Sequence, residues 1–264
     1  MNLTIEQLLR GKSTKIKDKE FLPTEGYVTP FFERMNKIPG TTFRCHAELP
    51  KQITITTTEE LNSIEDITYN RVWIEAILPD SYIEDNHSRV AGMVYGIDTR
   101  VPIVKFYTGG ENRACTNLMV FDPTDLQVQA LEPRKAINFG SLDYILSKTS
   151  TMGAFLRTLH SIEFDCSIDN IHKSLGYWLD NSIELCYNTG MSKASIAAST
   201  VISAYKSLFK STKSSYYVDI EKKPSVDMFT VYNAFTDILT HKDKDICNKA
   251  DKCLLIKDIL GITE

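Results

Sequence analysis

The chain has 264 residues, of which 42% are hydrophobic, 10% aromatic and 24% charged. This composition is typical of a globular protein with a hydrophobic core and excludes a wholly disordered chain. The formal net charge of −4 disfavours a broad basic surface for duplex DNA, so a nucleic-acid interface must be local. Six scattered cysteines without paired spacing predict reduced thiols, and the lack of a long apolar run predicts a cytoplasmic protein.

The first twenty residues join a short amphipathic piece to a lysine-rich stretch. Lys12, Lys15, Lys17 and Lys19 lie within eight positions of one another. We predict a flexible basic N-terminal arm over residues 1–20. Its lysines are expected either to be solvated or to contact phosphates.

Residues 21–135 are predicted to be β-rich. Short segments of β-branched and aromatic residues alternate there with Gly, Pro, Asn and Asp, which is typical of strands and turns. The predicted strands cover residues 53–57, 70–78, 89–97, 101–107, 117–121 and 126–131.

Residues 136–264 are predicted to be mainly helical. Apolar residues there recur every three to four positions, as in helices that bury one face. The pattern predicts helices near residues 142–159, 171–179, 192–209 and 225–239. Because strands come first and helices second, we predict an α+β fold with a mostly antiparallel sheet, packed as one unit.

Three predicted strands place a cation beside an aromatic residue. Successive residues of a strand point to opposite faces, so the shared faces carry Arg71 with Trp73, Arg89 with Tyr95, and Lys105 with Tyr107. Cations near phosphates and rings for stacking bases are what a single-strand binding platform requires. The alternative is an amphipathic strand whose aromatic side chain is buried and whose cation extends to solvent.

A second basic and aromatic cluster lies in the helical half. Lys206 and Lys210 are one helical turn apart, and Lys213, Tyr216 and Tyr217 follow. Residues 191–223 contain six lysines against two acidic residues in an otherwise acidic chain. The cluster is a candidate strand-binding loop, although a solvated helix end explains it equally well.

A polar block follows the paired glycines at 109 and 110. Arg113 is a candidate phosphate contact in this block. Cys115 is a candidate thiol nucleophile that would need His46 or His160 as its base. No spacing in the chain predicts a metal site or an acid/base pair of carboxylates. Because nothing in the sequence places either histidine near Cys115, we expect no catalytic residues and no cofactor.

Four blocks resemble a known family. They read FLPTEGYVTPF at 21–31, ITYNRVWIEA at 67–76, GMVYGID at 92–98 and NRACTNL at 112–118. The blocks resemble the single-stranded-DNA-binding RNA polymerase cofactors of bacteriophages that package a giant virion RNA polymerase. The resemblance covers about residues 20–135 and does not extend to the helical half.

The resemblance implies that the chain binds single-stranded DNA without a standard OB-fold. It further implies that the protein recruits a phage RNA polymerase to exposed template in the host cytoplasm, with a role in DNA replication as a second option. We also expect a homo-oligomer, because multivalent binders are favoured on long strands. The alternative function is a protein–protein adaptor whose helical half binds a partner and does not bind DNA.

Overall fold

The fold was obtained as a computed structural model, which describes residues 2–16, 18–49, 67–82, 87–97, 102–112, 116–120, 122–148, 151–188, 195–243 and 245–262. The chain divides into two compact units. Unit 1 comprises residues 1–82, 88–108 and 124–148, and unit 2 comprises residues 83–87, 109–123 and 149–264. The two units do not divide at the predicted boundary, residue 135. Unit 1 contains a helix that follows residue 135, and unit 2 contains a strand that precedes it.

The chain has the predicted α+β class. The strands are β1 Asn2–Leu3, β2 Thr14–Ile16, β3 Lys19–Phe21, β4 Thr42–Glu48, β5 Arg71–Tyr82, β6 His87–Gly96, β7 Ile103–Asn112, β8 Asn117–Met119, β9 Leu126–Ala130, β10 Glu163–Asp165 and β11 Ser225–Asp227. The main sheet has the order β1-β4-β5-β6-β7-β8, with β9 also paired to β7. Its pairs β1–β4, β4–β5, β5–β6, β7–β8 and β7–β9 are antiparallel.

Most helices follow the sheet in the chain. They are α1 Ile5–Leu9, α2 Thr24–Met35, α3 Gly140–Ser147, α4 Met152–Ser161, α5 Ile168–Asn188, α6 Ala198–Phe209, α7 Met228–Asp237 and α8 Lys249–Leu260. A π-helical turn, Ile238–Lys242, continues directly from α7. Among the described residues, none of these helices has the length and apolar character needed to span a membrane.

The core of unit 1 lies on one face of the sheet. The alternation in β5 directs Val72 and Ile74 to this face, where they pack in one cluster with Tyr27 and Phe31 of α2 and Leu142 of α3. The predicted separation of β5 into two faces is therefore confirmed. The opposite face of β5 carries the polar and aromatic residues that were candidates for binding DNA.

The predicted flexible N-terminal arm is wrong for the residues that the structure describes. Thr4 and Gln7 form a reciprocal cap at the start of α1, and Leu8 is fully buried in the core of unit 1. β2 and β3 then form a hairpin that ends at the buried Phe21. The lysines dominate the composition of this segment, but Leu8 and Phe21 anchor it. Lys12 lies just before the hairpin and is exposed.

Unit 2 contains a second core built from helices. Trp178 of α5, Phe209 of α6 and Phe235 of α7 are buried there, and Phe235 packs edge-on against Trp178 with ring centroids 5.6 Å apart. The predicted helix over 225–239 begins later, at Met228. The side chain of Asp227 accepts a hydrogen bond from Thr230 N at 3.0 Å, which places the start of α7 there.

Candidate nucleic-acid interface

The residues of the predicted platform for single-stranded DNA are divided between the two faces of the sheet of unit 1. Tyr95 lies opposite Val72 in the β5–β6 register and belongs to the core face, together with Arg89. Trp73 and Tyr107 lie on the other face, where the indole Nε1 of Trp73 donates to Tyr107 Oη at 2.5 Å. The prediction correctly identified which residues of one strand share a face. It could not show which of these pairs would lie on the same face of the sheet.

The core-face pair is not available to a DNA strand. Tyr95 is 2% exposed, and its hydroxyl donates to Thr24 Oγ1 at 3.3 Å. The Arg89 guanidinium donates to the carbonyls of Ile145, Leu146 and Lys148 at the end of α3. A cation at this position satisfies helix carbonyls and stabilises the negative end of the helix dipole. We therefore remove Tyr95 and Arg89 from the candidate interface.

The opposite face contains a buried polar network. Glu75 has no exposed surface, and its carboxylate accepts from Tyr107 Oη at 2.9 Å and from the Arg44 guanidinium at 2.6 Å. Burial, together with the neighbouring Glu75 carboxylate, holds the pKa of Tyr107 well above its ordinary value. Tyr107 is therefore a neutral phenol that donates to Glu75 and accepts from Trp73.

Gly92 makes room for the ring of this network. A Cβ atom at position 92 would lie 1.9 Å from Tyr107 Cζ, so the ring covers β6 only because residue 92 has no side chain. Tyr107 is 1% exposed and Lys105, on the same face, 4% exposed. The predictions that Tyr107 stacks bases and that Lys105 contacts phosphate are therefore wrong, because both side chains are buried.

Arg71, Trp73 and Arg89 are the members of the predicted platform that keep partial exposure, and of these Arg71 and Trp73 lie on the face opposite the core. Arg71 lies 3.4 Å from Glu48 Oε2, with about a third of each side chain exposed (32% and 30%). Trp73 is fixed through its indole nitrogen. A single tryptophan beside an ion pair is weak support for an interface with single-stranded DNA. We therefore do not place the site on the sheet.

The lysine loop, residues 206–223, is the stronger candidate. Lys206, Lys210 and Lys213 are exposed, as predicted, and Tyr216 and Tyr217 are half-buried beside them. The loop is held by Ser214, whose hydroxyl lies 2.5 Å from Ser207 Oγ and accepts from Tyr216 N at 3.1 Å. The cations thus extend from a backbone that is hydrogen-bonded to its own helix.

A β-turn in the lysine loop presents two amides to solvent. Ser214 N donates to Ser211 O at 2.8 Å and closes the turn. Within the described part of the chain, the amides of Thr212 and Lys213 have no acceptor, and both residues are exposed. Adjacent backbone N–H groups form anion-binding concavities, and here Lys210 and Lys213 add positive charge. This turn is chemically suited to a phosphate group.

Asn117 connects the lysine loop to β8. Its buried amide donates to Tyr216 Oη at 2.9 Å and to Asn233 Oδ1 at 2.8 Å, and its Oδ1 lies 3.1 Å from His241 Nε2. Thr236 donates to Asn233 Oδ1 at 3.1 Å and completes the network. Two segments that the sequence marked separately, 112–118 and 206–217, are therefore joined within unit 2.

The π-helical turn contributes to the same network. His241 from this turn reaches Asn117, and Thr240 Oγ1 accepts from Leu118 N at 3.1 Å. Insertions of this kind in helices are frequent at functional sites. The sequence did not predict Asn233, Thr236, Thr240 or His241 as neighbours of Asn117. The available signal was the presence of Asn233 and Thr236 among the apolar residues of α7.

Thr116, just before β8, has a backbone conformation that is unfavourable for its side chain. Its φ of +55° lies in the left-handed region, and its amide donates to Asn112 O at 2.7 Å. A β-branched residue is strained there, whereas asparagine tolerates the region. We expect Thr116→Asn to raise the free energy of unfolding by about 0.5–1 kcal/mol in denaturant titrations. Thr116→Val should bring no such gain, and a less stable Thr116→Asn variant would contradict the strain.

Arg113 and Cys115, like the predicted strand at 53–57 and Lys17, lie outside the described residues. Of the two proposed bases for Cys115, His46 Nδ1 lies 3.3 Å from Asn2 Oδ1, and His160 Nδ1 lies 2.8 Å from Asp227 Oδ2. Within the described ranges, no group of three His, Cys, Asp or Glu side chains could hold a metal ion.

Comparisons of the chain with protein-family models, with curated proteins and with solved structures find no match. Function must therefore be inferred from the side chains of the lysine loop and its Asn117 support.

Proposed function

We propose that the protein binds single-stranded DNA through the lysine loop. The observation that carries this proposal is the combination, in one loop of unit 2, of three exposed lysines with two turn amides that have no acceptor among the described residues. Lysines and amides bind phosphates of any sequence. Tyr217, half-buried next to the anchored Tyr216, offers a ring on which a base can stack.

Selectivity for single strands follows from the charge of the rest of the chain. The formal net charge is −4, so a duplex that extends beyond the lysine loop meets no broad basic surface. A single strand exposes its bases, and stacking of one base on an aromatic ring contributes about 1–3 kcal/mol. Tyr217 can therefore favour the single strand where charge alone would not.

We further propose, from the resemblance over residues 20–135, that the DNA-bound protein recruits a phage RNA polymerase to exposed template in the host cytoplasm. A role in replication is compatible with the same binding. In this proposal the protein is a non-enzymatic cofactor. Because DNA would occupy the lysine loop, the polymerase would bind a protein surface outside that loop.

Fluorescence anisotropy with labelled single-stranded and duplex oligonucleotides of equal length, at several salt concentrations, tests the proposal. We expect tighter binding to the single strand, with affinity that falls as salt rises. The triple variant Lys206→Ala/Lys210→Ala/Lys213→Ala should have a weaker salt dependence. The slope of log affinity against log salt concentration should be less steep by about 2, at about 0.7 per phosphate contact. Equal binding of wild type and triple variant would contradict the proposal.

A matched control is available in unit 1. Lys12, Lys15 and Lys19 are exposed, and their replacement by alanine changes the net charge of the chain by the same amount. We expect this variant to keep the wild-type salt slope. If both triple variants lose affinity equally, the effect comes from overall charge and the lysine loop is not the site.

The adaptor alternative has one supporting observation. Ile202 on α6 is 38% exposed and lies one helical turn before Lys206, so an apolar contact with a charged rim could bind a protein. The alternative is selected if neither oligonucleotide binds and Ile202→Ser abolishes capture of a polymerase. If the strand-binding proposal holds, Ile202→Ser leaves the affinity for single-stranded DNA within about twofold.

A further inference from the structure

The exposed face of α5 has a pattern that the proposed function does not use. Asp169, Lys173, Gly176, Asp180 and Ile183 are exposed at spacings of four, three, four and three residues. This spacing places them in one row along the helix. Tyr177 borders the row and is 51% exposed, and Ile183 is 48% exposed. The row therefore carries charged residues on both sides of Gly176, with apolar surface at Tyr177 and Ile183.

Gly176 stands at the centre of this row. Among the described residues, no atom outside its own helix lies within 4 Å of the position that a Cβ would occupy. Glycine is among the residues least favourable to a helix, and neither a left-handed φ nor a close neighbour within unit 2 requires it here. A glycine on an exposed helix face does allow a second backbone to approach closely.

The charges on either side of Gly176 are self-complementary. Lys173 lies one turn before it and Asp180 one turn after it, and neither forms an ion pair within the described part of the chain. Two copies of α5 that cross antiparallel at Gly176 place Lys173 of each copy against Asp180 of the other. A parallel crossing would place like charges together.

We propose that this face of α5 binds a second copy of the chain, in an antiparallel, two-fold symmetric contact centred on Gly176. A two-fold interface uses the same patch on both copies, which the arrangement of Lys173 and Asp180 satisfies. One pair of helices buries less than the roughly 800 Å² per partner of a standard interface. The dimer is therefore weak in free solution, and it strengthens when two copies are held on one strand.

Sedimentation equilibrium of the full chain without nucleic acid tests the contact over about 10–500 µM, the range suited to a small interface. Lys173→Glu and Asp180→Lys each replace two attractions by two repulsions, and each should weaken dimerisation by about tenfold or more. The double variant Lys173→Glu/Asp180→Lys restores opposite charges across the axis and should recover dimerisation. Circular dichroism melting of each variant checks that the helix itself is retained.

Gly176→Leu is an independent test. Leucine favours the helix more than glycine does, so the variant should fold at least as stably while its side chain prevents close approach and abolishes the dimer. A monomeric wild type throughout the concentration range overturns the proposal. A dimer that is indifferent to the single charge reversals and to Gly176→Leu also overturns it. Because no DNA is present, these outcomes are distinct from failure of the lysine loop to bind a strand.

Discussion

Glu75→Ala is expected to lower the free energy of unfolding by about 3 kcal/mol. The carboxylate of Glu75 is fully buried, and it is the acceptor for both Tyr107 and Arg44. Its removal leaves a buried hydroxyl without that acceptor and a cation without that counter-charge. The side chain of Arg44 is 29% exposed, so water compensates part of the loss, and the effect falls at the lower end of the range for broken buried ion pairs.

Denaturant unfolding of the single and double variants measures this effect. Replacing both charged partners, as in Arg44→Leu/Glu75→Leu, removes the charges together and should cost distinctly less than Glu75→Ala. Such a difference identifies an unpaired charge, rather than lost volume, as the cause. A Glu75→Ala variant within about 0.5 kcal/mol of wild type would show that the network contributes little to stability.

Asn117→Asp is expected to destabilise the protein by about 3 kcal/mol or more, although the two side chains have the same shape. Asn117 Nδ2 lies 3.2 Å from Asn233 O and 2.8 Å from Asn233 Oδ1, so an oxygen in its place faces two acceptors in a buried site. The hydrogen bond to Tyr216 is changed by the same substitution. Affinity for single-stranded DNA should then fall with stability, because the lysine loop loses its support from β8.

Tyr216→Phe is the matched control for Asn117→Asp. It removes the hydrogen bond that Asn117 donates to Tyr216 Oη and leaves the contacts of Asn117 with Asn233 and His241 in place, so it should cost only about 1 kcal/mol. Denaturant titration and anisotropy on the same preparations separate the two effects. Equal stability of Asn117→Asp and Tyr216→Phe would contradict the central position assigned to Asn117.

Local patterns predicted the fold class but not the environment of each face. Alternation correctly placed Arg71 and Trp73 together on one face of β5, opposite the core residues Val72 and Ile74. It could not predict that Tyr107 would be buried, because period-two patterning shows which residues share a face and not what covers them. Arg89 was misassigned for a related reason, since its carbonyl partners lie 56–59 positions away.

Two elements of unit 1 were missed for different reasons. β4 carries Arg44, His46 and Glu48 in alternation with apolar residues, so the signal for a strand was present in the sequence. α2 contains Pro30, which normally argues against a helix interior. Its burial of Tyr27 and Phe31 in the core outweighs the lost hydrogen bond.

The candidate site was predictable in part. The lysines of residues 206–213 stand out from an acidic chain by composition alone, and the structure leaves them exposed. The bond between Asn117 and Tyr216 joins residues 99 positions apart, and no local pattern predicts such a pairing. The three-dimensional structure was therefore needed to show that the exposed lysines are supported by a buried residue distant in sequence, Asn117.

Each unit contains one of the two tryptophans of the chain, which provides a separate spectroscopic reporter for each. Trp73 donates its indole N–H to Tyr107 in unit 1, whereas Trp178 is 2% exposed in the helical core of unit 2. Intrinsic emission of a Trp178→Phe chain would follow the melting of unit 1, and that of a Trp73→Phe chain the melting of unit 2. Coincident curves would identify a single cooperative transition, and separated curves two independently folding units within one polypeptide.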